Sequence, residues 1–169
     1  MTEEQLKTFN QQRRIFQIGI AVANLEDAMR KWTELYRIGP WTVSRLSHDA
    51  IPDLVIHKGA VRPDVSYRIA TTMVGDMQIE LMEANETTPI YSDYLADKKE
   101  GMHHFKEKVD DMHMQTRIDR YAELGMPVLY GGHYYNASFH YIDTTQRLCG
   151  VLVELGNCET VARPEKERV

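Results

Sequence analysis

The residues of this chain that could do chemistry sit on short apolar runs. The first run is residues 101–111, where the pair His103-His104 opens an alternating stretch that ends in Asp110-Asp111. A repeat draws attention to the second histidine. Setting residues 16–25 over 103–112 places Val22 on Val109, Asn24 on Asp111, Leu25 on Met112 and Gln17 on His104. Each copy also ends in a similar run, Gln78-Ile79-Glu80-Leu81-Met82 and Leu152-Val153-Glu154-Leu155. Gln17, Glu80, His104 and Glu154 therefore hold matching places, each on its own predicted strand. One imidazole, two carboxylates and one amide suit a divalent ion of borderline-to-hard preference, such as Zn, Co, Ni or Mn. An ion held this way keeps positions open for water or substrate, and can act as a Lewis acid on a carbonyl.

Neighbours on the same runs qualify that picture. Residues two apart on a strand share a face, so Lys106 and Lys108 point the same way as His104. A cation there would favour an anionic substrate or an enolate, or would pair with Glu80, Glu154 or Asp64. Glu107 falls on the opposite face, where an apolar residue is expected. Gln78 shares a face with Glu80 and is a rival for its role. His103 reads as packed or solvent-facing. His48, His57, His113, His133 and His140 read as surface or pocket-lining residues. Tyr130, Tyr134, Tyr135 and Tyr141 cluster in the second copy, as core or as an aromatic wall for a ring-bearing substrate.

The elements that must position these residues follow from periodicity. Residues 1–13 are polar and read as a short helix or a loose arm. Residues 15–22 are a β-rich run. Asn24 can cap a helix with Leu25, Ala28, Met29, Trp32, Leu35 and Tyr36 on one face, ended by a left-handed residue at Gly39 and by Pro40. Residues 41–46 read as a strand and 47–64 as a long loop. Residues 66–74 and 77–82 read as a hairpin turned at Gly75-Asp76. A helical connector spans 89–99. The order then repeats: a strand at 103–109, a helix capped by Asp111 and ended at Gly125 and Pro127, and strands at 127–135, 138–143 and 150–155. This is strand–helix–three strands, twice, a duplicated module whose halves close one cavity.

Bulk properties bound the function. The 169 residues fit one domain with a sizeable core. A net charge of −5 gives a nucleic-acid role no electrostatic support. No apolar run approaches the roughly 20 residues that span a bilayer. The polar, acidic start predicts no export signal, and Cys149 and Cys158 read as reduced cytoplasmic thiols.

The repeat and its strand endings resemble the vicinal-oxygen-chelate superfamily, the glyoxalase, bleomycin-resistance and dioxygenase proteins. Within it the chain is most similar to methylmalonyl-CoA epimerase-like proteins, through Gly101-Met102-His103-His104 with Val109-Asp110-Asp111, through Gly150 to Leu155, and through Ile79 to Met82. The resemblance implies an α+β fold in which two βαβββ modules form a U-shaped eight-stranded sheet around a metal-binding cavity. The domain would cover 14–156, with module one at 14–84, a connector at 85–100 and module two at 101–156. An arm at 1–13 and a tail at 157–169 lie outside it. The resemblance also implies Gln17, Glu80, His104 and Glu154 as ligands of a divalent metal. Epimerases of this kind use two bases. One is the C-terminal glutamate ligand, here Glu154; the position of the other falls on Asp64, where the family has the longer glutamate. Two departures stand out: Gln17 replaces the usual histidine, as in some glyoxalase I enzymes, and Lys106 replaces a small or apolar residue. The activity implied is a racemase or epimerase moving a proton α to a carbonyl, on an acyl-CoA such as methylmalonyl-CoA or an aromatic ketone such as an isoflavanone. Its alternatives are a glyoxalase I-type lyase on a hemithioacetal and a metal-free binding or resistance protein. An extradiol dioxygenase fits less well, because its iron site wants two histidines and a carboxylate. The implied assembly is a homodimer.

Overall fold

The computed structural model describes residues 1–47, 55–56, 66–83, 89–134 and 136–159. In chain order the elements are α1 Glu3–Gln11, β1 Ile15–Val22, α2 Leu25–Tyr36, β2 Thr42–Ser47, β3 Val55–Ile56, β4 Ser66–Val74, β5 Met77–Glu83, α3 Pro89–Lys98, β6 Gly101–Lys108, α4 Asp111–Glu123, β7 Val128–Tyr134, β8 Ala137–Ile142 and β9 Leu152–Gly156. All the described strands belong to one mixed sheet, in the order β2-β4-β5-β1-β6-β9-β8-β7-β3. The expected pair of βαβββ units is visible in that order. β1 runs parallel to β5, and β6 parallel to β9. The two units join through an antiparallel β1–β6 pair at the centre. Among the described residues the expected eight strands gain a ninth. Val55 and Ile56, in the segment read as loop, pair with Gly131 and Tyr130 and cover the free edge of β7.

Period-two alternation sorts the core into three clusters. Val22, Ile79 and Leu81 pack with Leu25 and Ala28 of α2. Val153 and Leu155 pack with Met114 of α4. The intervening strand positions face the other way. There Leu46, Tyr67, Ile69 and Met82 of the first half meet Tyr130, Phe139, Tyr141 and Leu152 of the second. Side chains from both halves touch only because the sheet curls, so the residues on its concave side converge. On β5 that side receives Glu80, and on β9 it receives Glu154.

The helix ends differ from expectation in detail. Asn24 caps α2 as predicted, accepting from the Asp27 amide at 2.8 Å. The left-handed residue after that helix is Arg37 (φ 60°), two residues before Gly39. Leu35 and Tyr36 therefore lie past the packed turn and are exposed. Asp110, not Asp111, is the N-cap of α4, and Asp111 accepts from Asn157 Nδ2 at 2.9 Å instead. The polar N-terminus is helical, closed by a capping box between Thr2 and Gln5.

Glu107, the acidic residue on the apolar face, is buried and held by arginines. Arg117 of α4 donates to its Oε1 at 2.8 Å, and Arg13 lies 3.7 Å from the same atom. The guanidinium groups also lie over the Phe9 ring of α1. This cluster ties the N-terminal helix to the convex side of β6. Replacing one partner of a buried pair leaves the other charge uncompensated, whereas an apolar residue in place of the buried charge does not. Arg117→Leu is therefore expected to cost about 2 kcal/mol in urea unfolding, and Glu107→Leu to stay within about 1 kcal/mol of wild type. Equal losses would show that the pair itself, not the stranded carboxylate, sets the energy.

Candidate metal centre

The central four strands, β5-β1-β6-β9, form the floor of the site. Cross-strand register sets two rows on the concave face. In one row Gly19 lies opposite Glu80 on one side and His104 on the other. In the next row Gln78, Gln17, Lys106 and Glu154 follow in order across the strands. Each row position comes from a different strand, so alternation within strands and pairing between them together make the constellation.

Gly19 gives the first row its shape. A Cβ there would lie 2.0 Å from His104 Cε1, so the imidazole occupies the space a side chain would fill. A glycine inside an apolar strand is the sequence signal for such an approach. From this seat His104 Nε2 lies 2.9 Å from Glu154 Oε2, 3.4 Å from Gln17 Oε1 and 3.6 Å from Glu80 Oε2. All four side chains are buried. Gln78, the rival to Glu80, instead accepts a hydrogen bond from the Gln17 amide nitrogen, which turns the Gln17 oxygen toward His104.

Lys106 brings a buried ammonium to the floor. Its stem crosses Gly156, where a Cβ would fall 2.2 Å from Lys106 Cε. Its ammonium reaches Glu154 Oε1 at 2.7 Å. Glu154 thus has one oxygen toward Lys106 and the other toward His104. Lys108, two residues on, is exposed. Burial by itself would raise the Glu154 carboxyl, but Lys106 and His104 outweigh it and hold the group low, at about 2.

Aromatic residues wall the site on the side of β8. The Tyr141 ring is 5.0 Å from that of His104, and its hydroxyl is 3.1 Å from the Tyr91 hydroxyl of α3. Burial pushes both phenols well above their ordinary range, so they remain neutral hydroxyls. Tyr130 lies beside Tyr141. Of the other singled-out residues, His113 and His133 are exposed and His140 is half-buried. Asp64, His48, His57 and Tyr135 lie outside the described residues, as does the side chain of Tyr134. His103, which the sequence offers as packed or solvent-facing, is packed. It is fully buried with its Nδ1 3.0 Å from His104 Nδ1. Strict alternation would turn it away from His104, so no periodic signal marks it.

The model of the Glyoxalase/Bleomycin resistance protein/Dioxygenase superfamily matches residues 16–142, most of the chain. The chain belongs to this superfamily. It is the vicinal-oxygen-chelate group that the repeat resembles. Solved structures of similar fold include a hypothetical protein from Bacillus halodurans, 20% identical with a TM-score of 0.66 over 90% of this chain and 99% of that one. A methylmalonyl-CoA epimerase solved with methylmalonyl-CoA and ammonium is 19% identical, with a TM-score of 0.56 over 89% and 98%. The methylmalonyl-CoA epimerase of Mycobacterium tuberculosis is 20% identical, with a TM-score of 0.54 over 86% and 88%. No curated protein matches the sequence.

Members of this superfamily commonly carry a divalent metal, and the donor set here fits one. Ligand atoms bound at about 2.1 Å around a single ion sit about 3 Å from one another. The distances of 2.9, 3.4 and 3.6 Å from His104 Nε2 fall in that range. Donor atoms of Glu80, His104 and Glu154 all lie within 4.8 Å of each other, and all three residues are buried. Among the described helices none is long and apolar enough to cross a membrane.

Proposed function

We propose that this chain is a metal-dependent racemase or epimerase that moves a proton at a carbon α to a carbonyl. The observation that carries the reading is the convergence of Gln17, Glu80 and Glu154 on His104 Nε2, from four adjacent strands, with Lys106 beside them. Gln17, Glu80, His104 and Glu154 would hold the ion. When bound, it supplies Lewis acidity to a carbonyl oxygen of the substrate. The residues proposed for the site then have separable tasks. Lys106 keeps Glu154 ionised and adds a positive charge that favours an enolate over the neutral ketone. Glu154 receives the α-proton on one face of the carbon, and Asp64 serves the other. A carboxylate held this low is a weak base, which favours substrates with an acidic α-carbon, such as a thioester flanked by a second carbonyl. The epimerases of similar fold act on methylmalonyl-CoA, which has that character. A flat aromatic ketone is the other substrate class; of the described tyrosines of the second half, Tyr141 stands nearest the donors, its ring 5.0 Å from that of His104.

Deuterium wash-in tests the reading. Protein loaded with Zn2+, Co2+, Ni2+ or Mn2+ is incubated in heavy water with methylmalonyl-CoA and with a panel of aryl ketones. Exchange at the α-carbon that stops on chelation and returns with metal is the expected result. No exchange with any of them would overturn it. A glyoxalase I-type lyase is the second reading, favoured by the amide oxygen of Gln17 completing a set with two carboxylates and an imidazole. Turnover of methylglyoxal with glutathione would select it. A metal-free binding protein is the third, and Lys106 favours it by neutralising Glu154 with no ion present. Elemental analysis of gently purified protein decides that point.

A further inference from the structure

We propose that His103 is a positioning residue for the metal centre: it fixes the tautomer of His104 and aims its Nε2 at the other donors. The proposal rests on the metal reading above. It begins from an irregularity in the central strand pair. Gly19 lies opposite His104, but the next residue, Ile20, lies opposite Met102. The register thus steps past His103, which is the extra residue of a β-bulge. A bulge re-aims a side chain that strict alternation would send to the other face. Here it brings two consecutive imidazoles into contact, with rings nearly perpendicular at 88° and centroids 5.3 Å apart.

The hydrogen positions follow from the partners. His103 Nε2 lies 3.3 Å from the carbonyl oxygen of Ile90, at the start of α3. A carbonyl only accepts, so His103 Nε2 carries the hydrogen. A neutral imidazole with hydrogen on Nε2 offers a lone pair at Nδ1. His103 Nδ1 therefore accepts, and His104 Nδ1, 3.0 Å away, donates. With its hydrogen placed on Nδ1, His104 presents Nε2 to Gln17, Glu80 and Glu154. Metal-bound histidines characteristically donate their second N–H to a partner that fixes ring and tautomer. A second histidine takes that part here, and it is anchored in turn by the backbone of the helix that joins the two halves. Ring edges of Tyr91, Tyr94 and Tyr141, with centroids 5.2, 5.1 and 5.5 Å away, hold the His103 ring in place.

Two measurements test this, one of them without metal. In 15N-histidine-labelled, metal-free protein at neutral pH, imidazole NMR is expected to show His103 protonated at Nε2 only. It should also show a nitrogen–nitrogen coupling across the hydrogen bond from His104 Nδ1 to His103 Nδ1. A proton on His103 Nδ1 would overturn the proposal. The second measurement compares His103→Asn, whose side-chain oxygen can still accept, with His103→Phe, which cannot. Zn2+ affinity by chelator competition is expected to fall about 10–100-fold in the phenylalanine variant and to stay within about threefold in the asparagine variant. The Co2+ ligand-field spectrum should change only in the former. Equal losses in the two folded variants, or none in His103→Phe, would overturn it. If wild-type protein takes up no metal, the metal reading fails and the NMR result alone decides the role of His103.

Discussion

Gly19→Ala is expected to lower Zn2+ or Co2+ affinity by about 100-fold or more while the protein still folds. The argument is steric. The new Cβ would stand 2.0 Å from His104 Cε1 and 2.4 Å from both ring nitrogens. Real contacts of that length do not occur, so the imidazole must leave its seat. It cannot shift toward Tyr141, whose ring is already 5.0 Å away at the centroid, nor toward His103, which meets it at Nδ1. The ring must therefore rotate or lift away from Glu80 and Glu154, and displacements of about 1 Å are enough to disable a coordinating group. Overpacking of this kind costs about 1–3 kcal/mol in stability, which a domain of this size can bear. Chelator competition alongside far-ultraviolet circular dichroism checks the result. Wild-type affinity in Gly19→Ala would show that His104 is not held where the strand register puts it. A His104→Ala control separates loss of the ligand from its displacement.

Lys106→Met has the largest expected effect on the metal-free protein. Burial alone would raise the Glu154 carboxyl; Lys106 and then His104 pull it down, to about 2. That lies below the ordinary glutamate value of about 4.3. A carboxylate with a depressed folded pKa stabilises the fold fully above its unfolded value, and this stabilisation is lost as pH falls through the folded one. In the variant, His104 alone opposes burial, so the carboxyl rises. Metal-free Lys106→Met should be less stable than wild type by about 3 kcal/mol at pH 7. The gap should close as pH is lowered from about 4 toward about 2. Saturating Zn2+ should also narrow it, because an ion on Glu154 replaces the lost ammonium. Removing a neighbouring cation should tighten Zn2+ binding as well, by about 10-fold. Urea unfolding against pH, with and without Zn2+, checks all three parts. A gap independent of pH would mean that Lys106 contributes through packing of its stem over Gly156 rather than through its charge.

Much of the architecture was legible because strand alternation and duplication are local properties of the chain. Ile79 and Leu81 flank Glu80, and Val153 and Leu155 flank Glu154, so one face of each strand had to be apolar and the other had to carry the acid. The matching runs at 15–22 and 101–108 placed Gln17 and His104 on equivalent strands. The N-cap at Asn24 was readable for the same local reason. Helix ends were less so. Arg37 adopts the left-handed conformation although Gly39 has the intrinsic preference for it, because the packed face of α2 ends at Trp32.

By itself, then, the sequence determined the two βαβββ units, their helix-facing sides and the four residues its repeat sets in register. Periodicity of two and 3.6 residues acts within a segment and needs no partner. The tertiary structure alone decided what depends on how strands meet. It set Gly19 beside His104, and joined Lys106 to Glu154. Glu107 found Arg117 and Arg13 on helices that no period links to it. The bulge that turns His103 onto His104 exists only because β1 and β6 pair one residue out of step. Register between strands far apart in the chain is a collective outcome of packing, and a pattern within one segment carries no record of it.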